Sequence, residues 1–143
     1  MSRLVEVLQP ASMRADRLAS TAPFAGLAWP DLEFAAGILT ETLVERGVRM
    51  TVQGRPASRL WLILEGEALV SADARPIRVA ARGDLVGLPS MFYATHSHET
   101  TIALSSIRAF EAGSSEFRQL VKHRTIRQRL ARAAKRQRVP TVG

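Results

Sequence analysis

Cysteine is missing from the sequence altogether. That excludes disulfides, thiolate metal sites, a Cys-ligated iron–sulfur centre and a Cys nucleophile. No apolar run approaches the ~20 residues that a membrane-spanning helix needs. Met1 to Pro10 has an early Arg3, then Leu4, Val5, Val7 and Leu8 interrupted by Glu6. This is too short and too polar for a signal peptide, so a cytoplasmic location is the default expectation. Aromatic residues are few. Trp29, Trp61, Phe24, Phe34, Phe92, Phe110 and Phe117 read as core, and none interleaves with the basic tail to make a stacking platform for single-stranded nucleic acid.

A second absence is local. From Arg118 to Arg138 there is no acid but there are nine Lys or Arg, while the rest of the chain holds eleven Lys or Arg against thirteen acids. The net charge of +7 therefore belongs to the tail. Such asymmetry points to an anionic partner, or to a solvated helix face. With 143 residues and 46% hydrophobic content, one domain is expected, burying roughly two-thirds of its unfolded surface.

The hydrophobic pattern changes period twice. Met13 to Ala19 suits a short helix. Trp29-Pro30-Asp31 reads as a helix start, because Pro is tolerated in the first turn and Asp31 faces the positive helix end. Leu32, Ala35, Ala36 and Leu39 follow at helical spacing. After Thr40, short β-rich runs alternate with glycine punctuation. Thr42 to Val44 is one run. Val48, Met50 and Val52 alternate with polar residues as on a half-buried strand, and Leu60 to Leu64 reads as a central strand. Ala68 to Ser71, Ile77 with Val79, Leu85-Val86, Thr101 to Leu104 and Ile107 to Phe110 complete the β block. Gly113-Ser114-Ser115 offers an N-cap, with Ser114 and Ser115 read as the capping residues, before Phe117, Leu120 and Val121. A second stripe follows at Ile126, Leu130, Ala133 and Ala134, and Val139-Pro140 ends the helix.

Five pieces in order resemble the cyclic-nucleotide-binding domain of the catabolite activator protein (Crp/Fnr) superfamily. They are Phe24-Ala25-Gly26-Leu27, the paired Gly47 and Gly54, and Leu60-Trp61-Leu62-Ile63-Leu64-Glu65-Gly66-Glu67. Gly83-Asp84-Leu85-Val86-Gly87 and Glu116-Phe117-Arg118-Gln119-Leu120 complete the set. The resemblance implies a mainly β fold with flanking helices: a jelly-roll β-roll of about eight strands, N-terminal helices and a basic C-terminal helix. The corresponding division is an N-terminal segment at 1–17, the β-roll at 18–113, and the basic helix and tail at 114–143.

The resemblance also implies a ligand pocket, with Gly87, Leu88, Ser90, Met91, Glu99, Thr100 and Thr101 as its candidate residues. In the family a Glu after the cassette glycine holds the ribose and an Arg pairs with the cyclic phosphate. Here Leu88 takes the first place, Pro89 removes an N–H donor, and no Arg occurs between Arg82 and Arg108, the family position falling near Glu99 or Thr100. A bare Glu99 carboxylate about 4 Å from a phosphate would repel it by roughly 4 kcal/mol at an effective dielectric near 20. Affinity for cAMP or cGMP is therefore not expected. Three readings of the pocket remain: filled by Met91, Phe92 and Tyr93; open to a different small molecule through Glu99, Thr100 and Thr101; or entered by a partner side chain.

In Crp/Fnr regulators the helix after the β-roll pairs with its twin and leads to a helix-turn-helix domain. The sequence is accordingly read as either a truncated or excised sensor or a natural stand-alone module. Val121, Ile126, Leu130, Ala133 and Ala134 are a candidate dimer seam, and the alternative is that they pack on the chain's own β-roll. Arg124, Arg127, Arg129, Arg132, Lys135, Arg136 and Arg138 are candidate contacts to DNA, bound without sequence preference, or to an acidic protein. His96 and His98 are two apart, but without a placed third ligand they read as solvated loop residues. No catalytic residue, metal or cofactor is expected: no Ser sits in a nucleophile elbow, and Gly83 to Gly87 lacks the Gly-Lys-Ser/Thr of a Walker loop. The sequence leaves two functions open. One is a non-catalytic regulatory or interaction module acting through its basic helix. The other is a sensor of a non-standard small molecule.

Overall fold

The most apolar run in the chain makes the strand around which the rest is arranged. Leu60 to Leu64 are all buried in β3 (Leu60–Glu65). A strand sends alternate side chains to opposite faces, and here each face has its own core. Leu60, Leu62 and Leu64 join one apolar cluster with the helices, whereas Trp61 and Ile63 join another inside the roll. The computed structural model describes residues 11–138. The Met1 to Pro10 segment, the Arg138 side chain and the helix stop at Val139-Pro140 lie outside the described residues.

The other elements are β1 (Thr40–Val44), β2 (Arg49–Thr51), β4 (Ala68–Ala72), β5 (Arg75–Ala80), β6 (Leu85–Val86), β7 (Thr100–Ala103) and β8 (Ile107–Ala112). They form two four-stranded antiparallel sheets, in the orders β1-β8-β3-β6 and β2-β7-β4-β5. The first sheet is covered on both faces, so β8 also divides: Ile107 and Ala109 face the roll, Phe110 and Ala112 the helices. The helices are α1 (Ala11–Ala19), α2 (Trp29–Ile38), α3 (Leu88–Tyr93), α4 (Ser114–Lys122) and α5 (Arg124–Arg138). The expected mainly β roll with flanking helices is what the chain forms.

Several expectations need correction. Val48 is 43% exposed, because β2 shifts register between Arg49 and Thr51 and so buries the consecutive pair Met50 and Thr51. Ser114 and Ser115 are not caps. Gly113 is the N-cap, and its N–H donates to the Glu116 carboxylate at 2.9 Å. The Ser115 hydroxyl, and then the Gly113 N–H, hold the Glu116 carboxyl below its ordinary pKa. A lowered value means that this capping contribution is present above the usual carboxylate titration and is lost as pH falls through the lowered pKa.

The proposed dimer seam is already used within the chain. Ile126, Leu130, Ala133 and Ala134 are buried in the helix-side core with Ala15, Leu18 and Leu32, and Val121 packs at its edge. Re-exposing a buried Ile or Leu costs about 1.5–3 kcal/mol, so this stripe holds α5 to its own domain. Nor do residues 17/18 and 113/114 divide the packing: α1 runs across the first boundary, and both terminal helical regions share one core with β3 and β8.

Gly66, after β3, has φ +100°, and a Cβ there would lie 2.4 Å from the Ser106 carbonyl oxygen. Gly54 has φ +87° but open space around it. Gly54→Ala is expected to cost about 1–2 kcal/mol from its left-handed backbone alone. Gly66→Ala must also displace backbone and is expected to cost about 3 kcal/mol or more. Urea denaturation of the two variants checks the difference; equal losses would contradict the close-approach explanation.

Candidate functional site

A cavity of about 920 Å³ opens between β4, β5, β6 and the start of β7. Val70, Ala72, Ile77, Ala80 and Val86 give it an apolar wall, and Arg78, Glu99, Thr51 and Thr101 a polar one. Ile77 is in place although 43% exposed, because β5 is an edge strand and faces the opening.

The corner leading into α3 sets the cavity's end. Gly87 takes φ +89°, and a Cβ there would lie 2.4 Å from the Arg59 carbonyl oxygen, so only glycine fits without backbone movement. Of the residues named from sequence, Gly87, Ser90, Glu99 and Thr101 line the cavity. Leu88 does not: it is fully buried in the helix-side core. Ser90 is held on both sides, its hydroxyl donating to the Thr95 carbonyl and accepting the Ala57 N–H at 2.8 Å.

Met91, Phe92 and Tyr93 do not fill the cavity, which corrects the first of the three readings. They pack against the helix-side core, with Phe92 edge-on to Phe117 at 6.5 Å between centroids. Met91 lines a separate hollow of about 340 Å³ with Phe117 and Arg118. The physical reason is that α3 packs on α5, turning its larger side chains away from the roll. Thr100 also lies off the cavity wall, its hydroxyl accepting the Gln53 N–H at 2.9 Å.

Glu99 is not a bare charge. Arg78 donates to both of its carboxylate oxygens, at 2.8 and 3.2 Å. The repulsion expected for an unpaired Glu99 is therefore offset by a guanidinium from the edge strand. The loop carbonyl of Glu99 is fixed too, accepting from the Thr51 hydroxyl at 3.0 Å and the Ser97 hydroxyl at 2.7 Å. Thr51 and Thr101 hydroxyls lie 3.1 Å apart. These side chains brace the loop before β7 and hold Glu99 and Arg78 at the wall.

The basic helix is less uniform than its composition. Arg124, Arg127, Arg132 and Lys135 are exposed. Arg129 turns inward and donates to the carbonyls of Pro23 at 3.0 Å and Ala25 at 2.7 Å, so it clips α5 to the loop before α2. Arg136 lines the cavity with Gln137, whose side-chain amide donates to the Leu85 carbonyl at 3.0 Å. Arg129 departs from the outward position expected of it, whereas Arg136 is exposed as expected and also borders the cavity.

His96 pairs its backbone with Pro56 in an isolated bridge, while His98 lines the cavity, so the two do not share a strand face. Among the described residues no group of three or more His, Cys, Asp or Glu is placed to hold a metal ion. Sequence reasoning missed Arg78 and Gln137, and did not see that the exposed Arg136 also borders the cavity. For Arg78 a partial signal existed. The Asp73-Ala74 turn pairs β4 with β5, which sets Arg78 opposite Val70, and β7 sets Thr101 opposite the same residue.

The comparisons agree with this geometry. The family profile described as cyclic nucleotide-binding domain matches residues 42–124, more than half of the chain. The regulatory domain of Toxoplasma gondii PKA, crystallised with cAMP, superposes with a TM-score of 0.76 at 17% identity, over 88% of this chain and 50% of that one. The catabolite activator protein of Thermus thermophilus gives 0.70 at 18% identity, over 80% and 57%. A cAMP-binding acyltransferase from Mycobacterium smegmatis gives 0.63 at 25% identity, over 89% and 41%. The chain thus spans about half the length of such proteins. A comparison with curated protein sequences returned no match. With its two-sheet roll, its cassette corner at Gly87 and the matched span, the chain belongs to the cyclic-nucleotide-binding domain family.

Proposed function

We propose that this domain is a non-catalytic regulatory module that binds a small molecule in its roll, and that the ligand is not cAMP or cGMP held in the family's usual way. The observation that carries this reading is the open cavity of about 920 Å³ at the cassette corner. Its size falls within the ~300–1,000 Å³ range of small-molecule sites. Of the two functions left open by the sequence, the open cavity favours the sensor. Two positions argue against the usual nucleotide pose. Leu88 is buried in the helix-side core and cannot meet a ribose, and the Arg78 guanidinium on the wall is already engaged by the Glu99 carboxylate. A non-catalytic role is supported by the state of the hydroxyls: those of Ser90 and Ser97 donate to backbone carbonyls. Neither is presented to a base as an activated nucleophile would be.

A ligand at a hundred times its dissociation constant adds about 2.7 kcal/mol of stability. Thermal unfolding with cAMP or cGMP at millimolar concentration is expected to show no saturable shift, and a clear one would overturn the exclusion. Restoring the family's acid by Leu88→Glu is expected to destabilise the fold by about 3 kcal/mol or more, because it exchanges a fully buried Leu for a carboxyl in the helix-side core. It is expected not to create nucleotide binding. A variant that folds with unchanged stability and binds cAMP would show that position 88 can turn to the cavity.

A second observation supports a polyanionic partner for the outer face of α5, with duplex DNA the partner proposed. Arg124, Arg127, Arg132 and Lys135 are exposed, in a stretch with no acid between Arg118 and Arg138. Four phosphate contacts would give log affinity a slope against log salt near −3.6, from about −0.9 per contact. Replacing the four residues by Gln is expected to abolish binding to random-sequence duplex at low salt. Retained binding would assign the interaction elsewhere.

A further inference from the structure

The charges on the cavity wall do not all have the same capacity to receive a ligand. Asp84 accepts the Ala81 N–H at 2.8 Å, which ties it to its own turn. Arg78 and Glu99 satisfy each other with two hydrogen bonds. Arg136 is the remaining wall cation, and it makes no ion pair among the described residues. Its position is fixed from behind: Gln137 is bonded to the Leu85 carbonyl, two residues before Gly87, and Ala133 and Ala134 are buried in the core. Arg136, though exposed, therefore borders the cavity near the β6–α3 corner, which Val70, Ile77, Ala80 and Val86 also line.

We infer that the cavity selects an organic anion, an apolar body carrying a carboxylate, sulfonate or phosphate group, and that Arg136 of α5 is its anchor. This rests on the reading of the cavity as a ligand site and adds the ligand's chemistry and the residue that recognises it. A simple anion directed instead at Arg78 would have to separate that guanidinium from Glu99 and would then sit beside the released carboxylate. At Arg136 neither cost arises. A charge-assisted hydrogen bond of this kind is stronger than a neutral one, and the apolar wall takes the ligand's body. Because Arg136 belongs to the last turns of α5, an anchored ligand also bridges the roll and the basic helix.

Two dyes with the same ring body test the inference: 8-anilinonaphthalene-1-sulfonate and its uncharged counterpart N-phenyl-1-naphthylamine. Both are titrated by fluorescence into the full chain at fixed ionic strength. The sulfonate is expected to bind about tenfold more tightly, a difference of ~1.4 kcal/mol. Arg136→Gln is expected to remove that preference while leaving the neutral dye unchanged. Lys122→Gln, at an exposed position of α4 outside the cavity lining, is expected to change neither. Glu99→Gln, which releases Arg78 from its partner, is expected to strengthen the sulfonate several-fold. Ile77→Trp, at the edge strand, is expected to block both dyes, with circular dichroism reporting that the variant is folded.

If both dyes bind equally, or Arg136→Gln leaves the preference intact, the anion assignment is overturned while the cavity reading stands. If neither dye binds, or folded Ile77→Trp binds both as before, the cavity reading fails and the inference falls with it.

Discussion

The structure depends on a strand that is buried on both faces. β3 supplies Trp61 and Ile63 to the interior of the roll and Leu60, Leu62 and Leu64 to the helices, so its uninterrupted apolar run serves two cores at once. This one requirement fixes the asymmetry of the fold. The sheet containing β3 must be covered outside as well as inside, and α1, α2, α4 and α5 provide the cover. The other sheet has no such run and keeps one face wet, which lets its edge strand β5 border an opening. The site thus lies where the double cover ends.

At that border, two substitutions relative to the family's pattern change what the corner can do. A residue directly after Gly87 can face either the core or the ligand. With Leu, the apolar side chain gains more from the core, so position 88 becomes structural. Just before β7, Glu99 brings a carboxylate to the wall, and Arg78 answers it from two strands away across β4. The wall there holds an ion pair rather than a free cation. The wall cation with no ion pair among the described residues is Arg136 on α5.

What could be read from the residues follows from how local each signal is. The two-core strand was legible because a continuous apolar run needs cover on both faces. The start of α2 was legible because Pro30 and Asp31 act within one turn. Glycine corners were legible from spacing, and Gly66 and Gly87 do sit at close backbone approaches. Val48 was misread because a single bulge reverses the alternation, and a period-2 pattern carries no mark of one. Arg78 was missed because its pairing with Glu99 needs the registers of three strands. The stripe on α5 was ambiguous in principle. Ile126 and Leu130 at helical spacing fit a partner helix or the parent domain equally well, and only the position of α1 and β3 decides.

That decision bears on how a ligand could be sensed. α5 divides its surface among distinct tasks: Ile126, Leu130 and Ala134 lie in the core, Arg129 is clipped to the carbonyls of Pro23 and Ala25, and Arg136 with Gln137 sits at the cavity. The first two hold the helix from its start as far as Ala134. A ligand moves an equilibrium only by its differential affinity for the two states. An anion on Arg136 can therefore bias the turn after Ala134, which is held at the β6 carbonyl by the Gln137 amide, far more readily than it can lift the whole helix from its core. The responsive unit is then the turn after Ala134, and the exposed Lys135 beside Arg136 is the charge whose presentation a ligand would alter.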